Sequence, residues 1–178
     1  MTRIIAGEHA GRRLQVPHKG TRPTSDRVRE SLFSILNGWN AIDGAGVLDL
    51  YAGSGALGFE ALSRGAESLT AVDAARGAIQ SIRANANALG VRVDAQQSPA
   101  ARFLRGSARE FDLVFIDPPY EEDVDQVLEL LAEGWLAPEA VIVVERSSRS
   151  PEPLLPERWE PWERRTYGET SLWLTITA

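Results

Sequence analysis

"GVLDLYAGSGALGFEALSRG", residues 46–65, runs from an apolar strand through a glycine turn into a helix that Gly65 closes. Gly53, Gly55 and Gly58 stand in G-x-G-x-x-G spacing, directly after the strand. Glycine at such points lets the main chain turn tightly and lets a ligand approach it with no Cβ in the way. The same rhythm then repeats. Apolar strands are expected at "SLTAVD" (68–73), "VRVDAQ" (91–96), "FDLVFI" (111–116) and "AVIVVE" (140–145), separated by helices over 75–90, around 100–106 and over 123–134. Strands without polar alternation, each followed by a helix, imply a parallel sheet covered on both faces. Right-handed crossovers make this a doubly wound, mostly parallel α/β sheet of the Rossmann-like kind.

Both ends of the chain add to that core. "RIIA" and "RRLQVP" flank the glycines of "GEHAG", which predicts an opening hairpin. Thr24 or Ser25 then caps a helix carrying Val28, Leu32, Ile35 and Leu36 on one stripe and ending at Gly38. The tail turns strand-like on either side of Gly168, so a terminal hairpin supplies antiparallel edge strands and brings the sheet to seven. An N-terminal arm, 1–39, thus precedes a body, 40–178.

At 178 residues the chain suits a single core, and no apolar run approaches the ~20 residues a membrane span requires. No secretory h-region is visible, which makes the cytoplasm the expected location. Without cysteine, and with two histidines, no metal site is expected. The net charge of −6 speaks against a nucleic-acid partner until it is divided along the chain. Residues 1–39 hold seven basic side chains against three acidic ones, a local +4 that leaves −10 for the remainder. A basic arm on an acidic body suits attachment to a polyanion, although solvated charged helices are the commoner source of such clusters.

Asp73 ends the second core strand twenty positions after Gly53, where a carboxylate accepts from both hydroxyls of an adenosine ribose. Loop, helix and acid together predict an adenosine-containing cofactor. The spacing leaves a nicotinamide dinucleotide and S-adenosylmethionine both open. Asp49, just before the loop, favours the second, because a negative charge suits a methionine ammonium and opposes a pyrophosphate. It can also bond main-chain amides of its own loop.

Asp117-Pro118-Pro119-Tyr120 breaks off the fourth core strand at its carboxyl end, where open α/β sheets collect ligands. Neither proline donates a main-chain hydrogen bond, and each holds the preceding residue extended. The carbonyls of Asp117 and Pro118 and the Asp117 carboxylate then form an acceptor-only cluster, fit to hold an amino group. Tyr120 offers a flat face to a planar base. Acceptors that grip the hydrogens of an exocyclic amine can aim its delocalised lone pair at a methyl group.

"DLYAGSG", Asp73 and "DPPY", in that order, resemble the class I S-adenosylmethionine-dependent methyltransferases that modify amino nitrogens. "RIIAGEHAGRRLQVP" (3–17), "RPTSDRVRESLFSIL" (22–36) and the wording of 53–66 resemble, more narrowly, the RsmD-type 16S ribosomal RNA guanine-N2 methyltransferases, over nearly the whole chain. The resemblance implies S-adenosylmethionine as donor and a guanine N2 of small-subunit RNA as acceptor, on an assembling 30S subunit; the chain's size and the absence of an obvious apolar surface helix make a monomer the expectation. It implies cofactor contacts from Asp49, Tyr51, Gly53, Ser54, Gly55, Asp73, Ala74, Ser98 and Pro99, and catalysis at Asp117, Pro118, Pro119 and Tyr120. It also gives the arm a task. Arg22, Thr24, Asp26, Arg27 and Arg29 would lie by the active-site mouth, with Arg3, Arg12 and Arg13 on phosphates. Removing residues 1–20 is then expected to weaken RNA binding and spare the cofactor. One departure is Pro99, where relatives often carry Asn or Asp to read the adenine amine; here Ser98, Gln97 or a carbonyl must serve. The competing readings are a methyltransferase for DNA adenine N6 or a protein glutamine, a nicotinamide-dependent oxidoreductase, and an RNA-binding module with a vestigial cofactor site.

Overall fold

The computed structural model describes residues 2–18 and 25–178. The opening hairpin is short: β1 (Thr2–Arg3) pairs antiparallel with β2 (Arg13–Leu14). Helix α1 (Asp26–Gly38) follows, with the Ser25 hydroxyl accepting from the Val28 N–H as N-cap. Thr24, the other candidate cap, lies outside the described residues. The core then alternates: β3 (Gly46–Leu50), α2 (Ala56–Ser63), β4 (Ser68–Asp73), α3 (Arg76–Leu89), β5 (Asp94–Gln97), α4 (Ala100–Leu104), β6 (Phe111–Ile116), α5 (Val124–Leu131) and β7 (Leu136–Ser147). β8 (Glu163–Tyr167) and β9 (Thr170–Ile176) form the terminal hairpin.

These strands make one seven-stranded sheet in the order β5-β4-β3-β6-β7-β9-β8. β3 to β7 are mutually parallel, and β9 joins β7 antiparallel. The chain builds outward from β3 to β5, then crosses back to set β6 on the other side of β3, so the switch point lies between β3 and β6. In that pairing Leu50 faces Ile116, which brings the glycine loop and the Asp117 segment to one edge of the sheet.

Two strand expectations shift. β5 begins at Asp94 rather than at Val91, because the Val91 N–H turns back to the Ala86 carbonyl (3.0 Å) and closes α3. β7 extends well before and beyond 140–145, since it pairs on both sides.

The sheet is covered on both faces. One face buries Val47, Leu113 and Phe115 against α1, α2 and α3; the other packs Leu48, Val114 and Ile142 against α4 and α5. Ile4 and Leu14 of the hairpin and Val28, Leu32, Phe33 and Leu36 of α1 belong to the first of these clusters. The boundary near residue 39 is therefore one of charge, and the arm shares the body's core. Trp135 and Trp173 are buried in the second cluster, with Trp159 and Trp162 packed against it, so these four rings serve packing.

Glu60 on α2 holds the arm in place. Its carboxylate is wholly buried and accepts from the Ile5 N–H (2.8 Å), the Ala6 N–H (3.1 Å) and Arg64 Nε (2.8 Å). Arg29 Nε stands 3.8 Å away, while its Nη2 donates to the Arg3 carbonyl (2.5 Å) and Asp26 (3.0 Å). Arg29 is thus enclosed at 0% exposure rather than standing at a site mouth, and burial lowers its pKa against the opposing pull of Glu60 and Asp26. Removing one member of such a buried ionic group leaves uncompensated charge and two orphaned amides. Glu60→Ala is expected to cost about 3–5 kcal/mol, read as a lower urea midpoint, with faster proteolysis of the hairpin. An unchanged midpoint would remove Glu60 as the anchor.

Candidate active site

Two cavities open along the carboxyl edge of the sheet. The first, about 910 Å³, is bounded by Tyr51 and Gly53, by Asp73–Ala75 at the end of β4, by Ser98–Ala100, and by one face of α3 from Gly77 to Ala84. The second, about 580 Å³, lies between the start of α1 (Ser25, Val28), Pro118, Tyr120, the end of β7 (Glu145, Arg146, Ser147) and the terminal hairpin (Tyr167, Thr170). Asp117 lines both, and among the described residues no other side chain does.

The glycine loop is shaped for close approach. Tyr51 leaves β3 with φ 59°, a left-handed conformation uncommon for a non-glycine residue, and Gly53 (φ 60°) and Gly55 (φ 82°) continue the turn. A Cβ on Gly55 would lie 2.7 Å from the Phe59 ring, and one on Gly58 would lie 2.5 Å from Leu69, where α2 packs on β4. Asp73 spans the loop: Oδ2 accepts from the Gly53 N–H and Oδ1 from the Ala75 N–H, both at 2.9 Å. Each oxygen keeps a lone pair for a ribose hydroxyl. Val72, Ala74, Ala78, Pro99 and Ala100 supply an apolar wall beside it. The arrangement fits an adenosine.

Asp49 sits deeper. It is 2% exposed, lies behind the loop rather than on the cavity wall, and its Oδ2 accepts from the Gly58 N–H at 3.1 Å. Ser54 and Gly55 likewise shape the loop from behind, Ser54 buried with its carbonyl held by Asn85. The charge that the cavity itself presents comes from Asp73, Asp117 and Glu122, with no Lys or Arg among the described lining residues. Glu122 also meets the Tyr51 hydroxyl at 3.5 Å, and burial followed by Glu122 raises the Tyr51 pKa. An acidic wall of this kind accommodates a cation and opposes a pyrophosphate. Ser98 and Pro99 both face the cavity, the Ser98 hydroxyl donating to the Pro99 carbonyl (2.9 Å); Gln97 does not reach it.

The tetrad stands where strand β6 stops. Pro118 is buried, and Tyr120 projects with 80% of its surface exposed. Arg146 donates to the Pro119 and Tyr120 carbonyls (3.2 and 3.3 Å), which pins the segment against β7. The Asp117 side chain stands half-buried between the cavities and hydrogen-bonds Glu145. Burial first, then the Glu145 charge and the hydrogen bond to Glu145, push its pKa well up, with Asp49 adding to the effect and Arg146 opposing it.

A family model described as conserved hypothetical protein 95 matches residues 2–176. The chain resembles the ribosomal RNA small subunit methyltransferase D of Escherichia coli (strain K12), 39% identical over 173 residues, with 95% of this chain and 86% of that protein covered. It belongs to this family, the RsmD-type methyltransferases. The putative rRNA methyltransferase YlbH of Bacillus subtilis (strain 168) is 40% identical over 180 residues, covering 96% of each. Among solved structures, the putative methyltransferase yhhF from Escherichia coli superposes with a TM-score of 0.89 at 35% identity, covering 98% of this chain and 97% of that one. At 22% identity the Thermus thermophilus 16S rRNA N2 G1207 methyltransferase (RsmC), solved with AdoMet and guanosine, shares the fold: its TM-score is 0.78, over 99% of this chain and 49% of its own.

Within this RsmD-type frame the arm is closer to the cofactor cavity than its sequence suggested. Gln15, Val16, Pro17 and His18 line that cavity, so deleting 1–20 would remove part of its wall. Asn85, which sequence reasoning passed over, holds the two together. Its Oδ1 accepts from the Gln15 N–H (2.7 Å), and its Nδ2 donates to the Gln15 carbonyl (3.0 Å) and the Ser54 carbonyl (3.1 Å). Arg3, Arg12, Arg13 and Arg27 are exposed and line neither cavity, and Arg12 donates to the Ala88 carbonyl (2.7 Å). Arg22 and Thr24 lie outside the described residues. Among the described residues, the cations that face the second cavity are Arg146 and Arg149, far from the basic arm in sequence.

Asp49 yields a test by linkage. Burial, opposed by the Gly58 amide and reinforced by Asp73 and Glu145, raises its folded pKa well above the ordinary aspartate value of about 3.9. The folded state then binds a proton that the unfolded chain has released, so stability falls as pH rises from that value through the raised one. Asp49→Asn keeps an oxygen for the Gly58 amide and loses the charge. Its melting temperature is expected to exceed the wild type's at pH 8, with the gap closing below pH 4; a gap independent of pH would discard the account.

Proposed function

We propose that the chain transfers the methyl group of S-adenosylmethionine to the exocyclic N2 of a guanine in 16S ribosomal RNA. The carrying observation is Asp117, shared by two cavities of different character. One is built for an adenosine and an accompanying cation; the other is an open bay beneath an exposed tyrosine ring, sized for a base. Relatives named as small-subunit rRNA methyltransferases, and a fold neighbour solved with AdoMet and guanosine, support the same assignment.

Asp73 would take the ribose hydroxyls, the Gly53 region the main-chain approach, and Ala74 with Pro99 the adenine faces. The acidic wall of Asp117 and Glu122 suits a methionine ammonium and sulfonium. When bound, S-adenosylmethionine supplies an electrophilic methyl whose carbon–sulfur bond breaks, leaving its electron pair on sulfur, as the carbon–nitrogen bond forms.

The chain's own work is orientation and charge. Tyr120 stacks the base, and the carbonyls of Asp117 and Pro118 with the Asp117 carboxylate hold the hydrogens of N2, turning its lone pair toward the first cavity. Arg146 keeps that segment from yielding by holding the two carbonyls that follow. Acceptors fixed before the reaction favour the positive charge that develops on nitrogen. Both the incoming cation and the base's N–H donors favour the ionised form of Asp117, against the burial that raises its pKa. The nitrogen then loses one proton, to water or to that carboxylate. The basic arm would contact RNA phosphates, and the working protein would be a cytoplasmic monomer on an assembling 30S subunit.

Calorimetry should detect binding of S-adenosylmethionine and none of NAD. Mass mapping of ribosomal RNA from cells lacking the protein should show one N2-methylguanosine missing from the small subunit. Asp117→Ala should lower kcat by ~10²-fold or more while retaining the cofactor. Loss of a methyl from any other base, or full turnover without Asp117, would overturn the assignment.

A further inference from the structure

Besides Asp117, the second cavity is lined by two carboxylates among the described residues, Glu145 and Glu169, and the position of Glu145 bears on base choice. β6 and β7 run parallel with Ile116 opposite Val144, so the next residues, Asp117 and Glu145, emerge side by side at the carboxyl edge. They hydrogen-bond each other, and both line the second cavity. Asp117 also reaches the first cavity; Glu145 does not. An amine held at the junction by Asp117 can set a neighbouring atom of its base edge against Glu145.

That atom differs among the bases. Beside N2 on guanine's Watson–Crick edge stands N1–H, a donor. Beside N6 of adenine stands N1, and beside N4 of cytosine stands N3, each a bare lone pair. We propose that Glu145 selects guanine: its carboxylate accepts the N1–H of the base whose N2 Asp117 holds, and it repels the lone pair that adenine or cytosine would set there. Arg146 and Arg149, the two guanidinium groups among the described residues that line the cavity, supply donors for O6, the acceptor that follows N1. A site built around such a pairing rejects a base that lacks it strongly, because a charged acceptor is left facing another acceptor.

This inference rests on the guanine-N2 reading, and the test separates the two. The first measurement is the wild-type product: a methylated nucleoside other than N2-methylguanosine would sink that reading before Glu145 is touched. With the target mapped, the substrate is 16S RNA carrying guanine or 2-aminopurine at that position. 2-Aminopurine keeps the N2 amine and presents a lone pair at N1. Wild-type kcat/KM should favour guanine by ~10²-fold or more. In Glu145→Gln the amide NH2 can donate to that lone pair, so the preference should narrow at least tenfold, with 2-aminopurine gaining in absolute rate. S-adenosylmethionine affinity, measured by calorimetry, should stay within a factor of two and certify the fold. Equal losses on both substrates would reduce Glu145 to a positioning role for Asp117 and overturn the proposal. Wild-type indifference between the two bases would overturn it without any variant.

Discussion

The pairing of β3 with β6 is the contact on which the rest depends. These strands are neighbours in space and separated by two helix–strand units in sequence, and their register, Leu50 against Ile116, sets two strand exits side by side. Each exit is abrupt for its own reason. β3 ends in Tyr51 and a run of left-handed glycines, while β6 ends in two prolines that cannot continue a ladder. The main chain therefore parts on either side of the seam, and the parting is the site. Crevices of this kind form wherever a doubly wound sheet reverses its order of construction.

Carboxylates collect at this seam. Asp49 lies near the end of β3, Asp117 follows β6 and Glu145 lies in β7, so three adjacent strands each contribute one; the Glu145 charge raises the proton affinity of both aspartates, and Asp49 raises that of Asp117. Such crowding is unfavourable in the empty protein. It is relieved by ligands that bring positive charge from one side and N–H donors from the other, the demand made by a sulfonium donor and an amino acceptor. The strain on these acids and the chemistry proposed for them have the same origin, desolvation at the end of buried strands.

Glu60 plays the corresponding role for the arm. A single buried carboxylate accepts two amides from the opening hairpin and faces two arginines, and Asn85 clamps the next stretch of chain to the glycine loop. The segment entering the arm's basic region is thereby a wall of the cofactor cavity. The arm and the wall of the cofactor cavity are joined through hydrogen bonds between side chains and main chain rather than through a hinge between separate bodies.

Much of this was legible in the residues themselves. The alternation of apolar runs with glycine-closed helices determines a parallel sheet, because each strand is buried on both faces. The G-x-G-x-x-G turn with Asp73, and the acid–proline–proline–tyrosine exit, are local chemistries that a short stretch encodes completely. The partners those stretches meet were not legible. That Arg29 is enclosed while Arg146 and Arg149 face the second cavity, that Asn85 and Glu60 fasten the arm, and that Glu145 stands against Asp117 depend on strand register and helix packing. Such contacts join residues far apart along the chain: a one-residue slip of β7 would turn Glu145 and Arg146 to the opposite faces of the sheet, and the helix residues meet their partners only once the helices are packed. Only the folded protein decides them.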